Sequence, residues 1–238
     1  WGKNSFGIQR RKKDWGANIA QITRFIPEKV ALNSTEHLAP HFIGRNDVYT
    51  SLDKPLPYVL LDLDDPYYER HKIIPLRNRL LASPEYSVLY NRAFFNNHFI
   101  LFGPSQGGPS GKKSRNIISM SDQDWLGIGY PVKLPGDNAF SCRVAQRLIK
   151  GRKYLILFVR LERKVDYDVK IKVIISNGKD EKYFANYFGD GIQPADCLPV
   201  HSIYVLTIPV PADWKNLKSC SVKLERKSTF PVSEGRAP

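Results

Sequence analysis

The first 103 residues combine helical and strand-like spacing of apolar positions. Ile19, Ile22 and Phe25 recur every three residues over 17–25, which predicts a short amphipathic helix. The near-continuous apolar run over 58–64 is typical of a parallel strand that is covered on both faces. The other elements predicted here are strands at 30–32 and 47–49, a helix capped by Ser34 or Thr35 that ends near 40–44, a helix at 71–82, and a β-hairpin formed by 86–90 and 98–102. Their order predicts a small α/β domain.

Residues 103–113 consist of Gly, Pro, Ser, Gln and Lys and have no large apolar side chain with which to build a core. This composition is typical of a flexible linker and marks the predicted domain boundary. We therefore predict four parts: an arm over 1–16, the α/β domain over 17–103, a linker over 104–116 and a second domain over 117–238.

Strand-like segments separated by turn signals occupy most of the second half. Asn177-Gly178 predicts a hairpin between two of these segments, and Lys150-Gly151 marks another turn. Strands that follow one another without a helical stretch between them indicate a β-sandwich of jelly-roll type. The predicted fold class is thus α/β plus all-β, with a short parallel-type sheet followed by a jelly-roll sandwich. The predicted strands are 139–148, 154–162, 165–176, 182–188, 203–209 and 219–226.

Positive charge is the unusual feature of the composition. The chain has 36 Lys and Arg against 23 Asp and Glu, a net charge of +13, and both halves share the excess. Its 42% of hydrophobic residues indicates a folded chain rather than a disordered one. Binding to nucleic acid, a position near an anionic membrane and general solubility each account for such charge. No recognisable RNA- or DNA-binding motif supports the first of these.

The predicted arm over 1–16 mixes aromatic residues with the basic run Arg10-Arg11-Lys12-Lys13. This mixture is typical of a juxtamembrane segment, although an exposed terminal arm explains it as well. The sequence has no apolar run near the ~20 residues that cross a bilayer. Because it begins at Trp1 rather than Met, we expect a fragment or a processed product.

Three cysteines, Cys142, Cys197 and Cys220, lie in the second half without any CxxC pair. Their spacing therefore does not indicate a zinc or redox site. One disulfide with a free thiol remains open as an alternative, and three small buried residues are the favoured interpretation.

The segments 26–33, 38–45, 47–49 and 58–63, followed by Pro84 to Tyr90, have a distinctive order and spacing. They resemble the extracytoplasmic C-terminal part of an uncharacterised family of prokaryotic polytopic membrane proteins related to GT-C-type glycosyltransferases. The resemblance covers about residues 17–103. It implies a location on the extracytoplasmic side of the cell membrane. It supplies no catalytic residue, because those of GT-C-type enzymes lie in the transmembrane portion.

A second resemblance covers about residues 117–228 and is carried by 144–148, 150–154 and 206–214. These segments look like jelly-roll carbohydrate-binding modules. In such modules aromatic faces stack on sugars while polar side chains hold the hydroxyl groups, and ordinary sheet packing is the competing explanation for the same aromatic residues. The candidates are Trp125, Tyr130, Tyr183, Tyr187, Asp190 and Trp214.

Polar residues of the α/β domain form two further candidate sites. Asp62 and Asp64 follow the parallel-type strand, where ligands bind in open α/β sheets, although a solvated loop is the favoured interpretation. His41 and Arg45 lie four residues apart and are suitably spaced to hold an anion, although a surface role is favoured. Asn33-Ser34-Thr35 is a glycosylation sequon, which fits an extracytoplasmic location.

The predicted function is that of a soluble accessory region of a membrane-anchored, glycosyltransferase-like protein. We expect its partners to be the membrane surface, reached through the parent protein, and a carbohydrate or lipid-linked glycan. We predict no cofactor, metal ion or catalytic residue, since GxSxG, HExxH and Walker-type motifs are absent from the sequence. The alternatives are a basic sandwich that binds nucleic acid or serves as a virion subunit, and a carbohydrate-active enzyme.

Overall fold

A computed structural model of the chain describes residues 16, 18–65, 70–94, 97–105, 114–135, 138–214 and 216–228. The chain divides into two compact units, Trp1–Arg92 with Phe99–Gly111 and Ala93–His98 with Lys112–Pro238. β-strands are the main regular structure of the described residues and form several sheets, and the predicted mixture of α/β and β structure is compatible with this. The predicted arm, except Gly16, and most of the predicted linker lie outside the described residues.

Five strands form the sheet of the first unit: β1 (Ala31–Ser34), β2 (Asp47–Tyr49), β3 (Tyr58–Asp62), β4 (Tyr86–Phe94) and β5 (Asn97–Pro104). Their order is β2-β1-β3-β5-β4. β1 pairs in parallel with β2 and β3, whereas β3 pairs antiparallel with β5. The residues of β3 that follow its first position are all buried, which confirms the prediction from the apolar run. Parallel pairing brings the ends of β1 and β3 to the same edge of the sheet.

Two of the predicted helices are confirmed. Residues 18–22 are helical and continue into a 3-10 turn, Thr23–Phe25, and a longer helix spans Arg70–Ala82. Ile22 is fully buried, but Phe25 is 45% exposed. Because a 3-10 helix turns more tightly than an α-helix, Phe25 does not follow the helical stripe that its spacing predicted.

The prediction of a helix that Ser34 or Thr35 caps and that ends near 40–44 is wrong. The chain instead forms a turn, in which the amide of Ala39 donates to the carbonyl of Thr35, and then a 3-10 helix, Ala39–His41. Pro40 has no N–H, and its ring does not fit against an α-helical turn before it. The segment therefore stays short.

The sequon Asn33-Ser34-Thr35 lies in and directly after β1 and is buried. The Asn33 amide nitrogen donates to the carbonyl of Ser51, and its oxygen accepts from the amide of Leu56. Both ends of this side chain thus serve the fold, so the folded chain does not offer Asn33 for glycosylation.

The second unit contains two antiparallel sheets, which order as β11-β10-β13 and β6-β12-β9-β8-β7. The six strands that the sequence predicts are confirmed, with bounds that shift by up to two residues. The strands are β6 (Ile117–Ile118), β7 (Tyr130–Val132), β8 (Phe140–Ile149), β9 (Arg152–Leu161), β10 (Tyr167–Ser176), β11 (Glu181–Tyr187), β12 (Ile203–Pro209) and β13 (Ser219–Ser228).

The two sheets of the second unit share one hydrophobic core. Leu157 and Val159 from β9 lie in the same cluster as Ile171 and Val173 from β10. Inward residues alternate with outward ones along β9, as expected for a strand with one buried face. Packing of this kind makes the unit a β-sandwich.

The residues that lead into this sandwich form elements that the sequence pattern did not predict. A short helix, Asp122–Gly127, and the strands β6 and β7 precede the first predicted strand. The helix is too short to show helical periodicity, yet it carries a cap signal: the Ser121 hydroxyl accepts from the Asp124 amide at 3.1 Å. That Ser-x-x-Asp pattern was the available clue.

Candidate functional site

One face of β8 points into the core of the sandwich. Towards the end of β8 this face is no longer covered by the three-stranded sheet. Cys142 on this side is 3% exposed, Val144 is half-buried and Gln146 is exposed. Tyr130 of β7 is paired with Val144, and Leu155 of β9 with Gln146, so all of them lie on one face. The inner face of the five-stranded sheet is therefore open at this end.

The start of β13 forms the other wall of this opening. Ser219 pairs with Ser176, the last residue of β10, and Cys220 pairs with Ile175. Between the two sheets lies an open cavity of 550 Å³, which we call the groove. The groove is lined by Tyr130, Val144, Gln146, Leu155, Leu217, Lys218, Ser219 and Cys220.

The groove combines an apolar floor with a polar rim. Leu155 at its base is buried, and the Tyr130 ring at its mouth is 77% exposed. Gln146, Lys218 and Ser219 are exposed and supply an amide, an ammonium and a hydroxyl group. Such a surface offers an aromatic face together with both donors and acceptors of hydrogen bonds.

Tyr130 is held in place by the loop before it. The Arg143 guanidinium donates to the carbonyls of Leu126 at 2.9 Å, Ile128 at 2.5 Å and Gly129 at 3.2 Å. Gly129 has a φ of +33°, and a Cβ at this position would lie 1.9 Å from the carbonyl oxygen of Val144. Only glycine therefore lets the chain pass this close to β8.

Trp125 lies on the short helix before this loop and is buried rather than on the surface. Its ring is 5% exposed, with the guanidinium carbons of Arg143 and Arg160 at 6.0 Å and 5.6 Å from the ring centroid. Arg160 also pairs with Asp122 at 2.5 Å. Trp125 thus anchors the short helix, and its position supports Tyr130 indirectly.

The remaining aromatic candidates are not in the groove. Tyr183 is 37% exposed on the outer face of the three-stranded sheet. Tyr187 shares that strand face, as its spacing predicted, but is fully buried with the Lys170 ammonium 5.8 Å from its ring centroid. Trp214 belongs to the core of the sandwich. Of the five Tyr and Trp candidates, only Tyr130 lines this groove.

Asp190 organises a separate hydrogen-bond network. Its Oδ1 accepts from the Tyr204 hydroxyl at 2.6 Å and from Asn186 at 3.1 Å, and its Oδ2 accepts from Ser114 at 2.6 Å and Asn116 at 2.9 Å. Its φ of +58° is left-handed, as are those of Gly189 and Gly191 on either side. The network fastens the first residues of the sandwich to the loop after β11. Burial, followed by the charge of Asp190, raises the pKa of Tyr204 well above its usual value.

Cys142, Cys197 and Cys220 are all among the described residues, and none of them forms a disulfide. Cys142 is buried and Cys220 is half-buried, but Cys197 is exposed, so the prediction of three buried residues is wrong for Cys197. Burial, and then the nearby Cys220, raises the pKa of Cys142 to about 12. Burial also raises the pKa of Cys220. Both thiols are therefore protonated at neutral pH, and Cys220 presents a weakly polar group to the groove.

In the first unit, Asp62 belongs to a cluster at the shared edge of β1 and β3. Nε2 of His37 lies 3.0 Å from Oδ2 of Asp62, and Nδ1 lies 2.6 Å from Oδ2 of Asp65. Both aspartate side chains are fully buried. Burial of the His37 ring opposes its protonation, but hydrogen bonds and charges from the two aspartates outweigh this and raise its pKa. His37 was not among the predicted site residues, because no sequence motif links it to aspartates that lie 25 or more positions away.

The other candidates of the first unit have local roles. The backbone amide of Asp64 donates to Oδ1 of Asp62 at 2.9 Å. Arg45 donates from Nη2 to the carbonyl of Ile26 at 2.9 Å and so braces the backbone. His41 is exposed, and its pKa is lowered by partial burial and by the charge of His37. The charge of His37 thus disfavours protonation of His41.

Among the described residues, no group of three or more His, Cys, Asp or Glu side chains is arranged to hold a metal ion. Within the same residues, no helix is both long enough and apolar enough to cross a membrane. No family model, curated protein or solved structure matches this chain.

Proposed function

We propose that this chain is the extracytoplasmic accessory region of a membrane-anchored, glycosyltransferase-like protein. In this proposal the second unit is a jelly-roll module of carbohydrate-binding type, and it binds or positions a glycan or a lipid-linked sugar. Eight antiparallel strands in two sheets on a common core support the module type. Because many unrelated proteins use such sandwiches, the sugar ligand is argued from the groove and not from the fold.

The observation that carries the proposal is an exposed aromatic ring at the mouth of an apolar groove. A sugar ring has apolar C–H faces and a polar edge of hydroxyl groups. The Tyr130 ring is suited to stack on the C–H face, and Gln146 and Ser219 are suited to hydrogen-bond the hydroxyl groups. The cavity of 550 Å³ also falls within the ~300–1,000 Å³ of ordinary ligand sites.

Lys218 gives the groove a cationic side. Its stem passes over Gly178 in the β10–β11 turn, where a Cβ would lie 2.7 Å from Cδ of Lys218. The backbone amide of Lys218 also donates to the carbonyl of Ser176 at 2.8 Å. An ammonium group held in this way favours glycans that carry a carboxylate or phosphate, such as the head group of a lipid-linked sugar.

A screen on immobilised glycans, followed by calorimetry with the selected free sugar, tests this proposal. Tyr130→Ala should weaken binding by about tenfold or more, equal to about 1.4 kcal/mol. Tyr183→Ala is the matched control, since it removes an exposed tyrosine from a different face. Equal losses in both variants, or no glycan binding by the unchanged chain, would contradict the proposal. Turnover of the sugar would instead support the enzyme alternative.

A further inference from the structure

The hairpin formed by β8 and β9 ends in a rigid tip. Ile149 pairs with Arg152, so the two strands are joined by Lys150 and Gly151 alone. These two residues have φ values of +48° and +74°, which is the pattern of a type I′ turn. Such a turn matches the twist of the strands, so the tip is a continuation of the sheet and holds its side chains in fixed directions.

Two aliphatic side chains at this tip are exposed. Leu148 is 71% exposed and Ile149 is 46% exposed. Because neighbouring residues of a strand point to opposite faces, the two side chains cover both sides of the tip. The hairpin therefore presents an apolar end, and not one apolar face that a second sheet would cover.

Only basic charges surround this apolar end in the sequence. Arg147, Lys150, Arg152 and Lys153 are all exposed. The whole hairpin from 142 to 161 contains no Asp or Glu, which is unusual even in a chain of net charge +13. The tip over 147–153 is thus both apolar and cationic.

We propose that this tip docks on an anionic lipid bilayer. Leu148 and Ile149 enter the boundary between head groups and acyl chains, and the surrounding cations contact lipid phosphates. A bilayer satisfies both properties of the tip at once. The phosphates of nucleic acid would also pair with the cations. Proteins that bind single strands, however, stack the bases on aromatic side chains, whereas the exposed apolar side chains of the tip are both aliphatic.

This inference does not rest on glycan binding. The tip side chains are not among the residues that line the groove. Binding of free sugar and binding to plain lipid are measured separately, so either proposal can fail alone.

Co-sedimentation with vesicles tests the inference. The chain should bind vesicles made of equal parts phosphatidylcholine and phosphatidylglycerol, and should bind phosphatidylcholine alone much more weakly. The pair variant Leu148→Ser with Ile149→Ser should lower the partition coefficient on mixed vesicles by about tenfold. The variant Arg152→Gln with Lys153→Gln should lower it by about tenfold as well.

Leu126→Ser is the control, because Leu126 is 68% exposed on the short helix of the same unit. It should bind as the unchanged chain does. Circular dichroism melts check that each variant is folded. Unchanged vesicle binding by the Leu148/Ile149 variant would overturn the inference, because the contact would then be one of charge alone. Failure of the unchanged chain to bind mixed vesicles would overturn it too. If the chain bound single-stranded RNA instead, the tip would be a nucleic-acid contact.

Discussion

At the scale of the residue, His37 has an unusual environment for a histidine, since both side chains it pairs with are buried carboxylates. It lies between two fully buried aspartates, whose contacts raise its pKa in spite of the burial of its ring. A protonated imidazole in this position balances part of their charge. Removal of one partner from a buried ion pair costs much more than loss of a surface pair, because the other charge stays behind without compensation.

We expect His37→Gln to lower the free energy of unfolding by about 3 kcal/mol below pH 6.5. Because the pKa of His37 is higher in the folded state, its stabilising contribution is fully present below the unfolded value of 6.5 and is lost as the pH rises through the folded value. The difference between the variant and the unchanged chain should therefore shrink as the pH rises. Urea unfolding at a series of pH values measures it.

His41→Gln is a control whose effect should change with pH in the opposite direction to that of His37→Gln. The pKa of His41 is lowered in the folded state, so protonation of this residue disfavours folding as the pH falls. The unchanged chain should lose stability relative to this variant at low pH. If both histidine variants show the same slope with pH, the assignment of His37 to an ion pair is wrong.

At the scale of the element, alternation of apolar and polar residues predicted the strands well wherever one face is buried. β9 alternates over most of its length, and the Lys150-Gly151 and Asn177-Gly178 turns were recognisable because their φ values favour glycine. The two-residue strand β6 is too short to carry any such period. The turn after β1 failed for another reason, since Pro40 overrides the helical preference of the residues around it.

The candidate site was predictable only in part. Tyr130 was one of the candidates from the sequence, but Gln146 and Ser219, which line the groove with it, lie on strands of different sheets that are far apart in the sequence. Local patterns do not report which ends of two sheets stay uncovered. The buried positions of Trp125 and Trp214 were equally invisible, because a stacking platform and a core tryptophan look the same in a sequence.

Gly129 links the fold to the groove, and Gly129→Ala tests that link. The added Cβ would meet the Val144 carbonyl at 1.9 Å, and the backbone there has a positive φ. We expect a loss of about 2–4 kcal/mol in the free energy of unfolding, measured in urea, together with weaker glycan binding. Gly127→Ala is the control, since nothing lies within 4 Å of its Cβ position. A folded, fully stable Gly129→Ala chain would show that the close approach to β8 is not required.

At the scale of the whole molecule, charge is spread over both halves, but the proposed activities meet at one end of the sandwich. Gln146 lines the groove, and Leu148 of the proposed membrane tip lies two residues further along the same face of β8. A bilayer contact at the tip would therefore bring the groove close to lipid head groups. This arrangement suits a sugar that is attached to a lipid better than one that is free in solution.

We accordingly expect the two contacts to reinforce each other. Mixed vesicles that carry the selected sugar on a glycolipid should bind at least about tenfold more tightly than vesicles without it, because the second contact becomes intramolecular once the first has formed. Tyr130→Ala should remove this gain and leave plain vesicle binding intact. Leu148→Ser with Ile149→Ser should weaken both vesicle types while calorimetry still detects the free sugar. If the glycolipid adds nothing although the free sugar binds, the groove does not face the bilayer, and a soluble glycan becomes the better ligand.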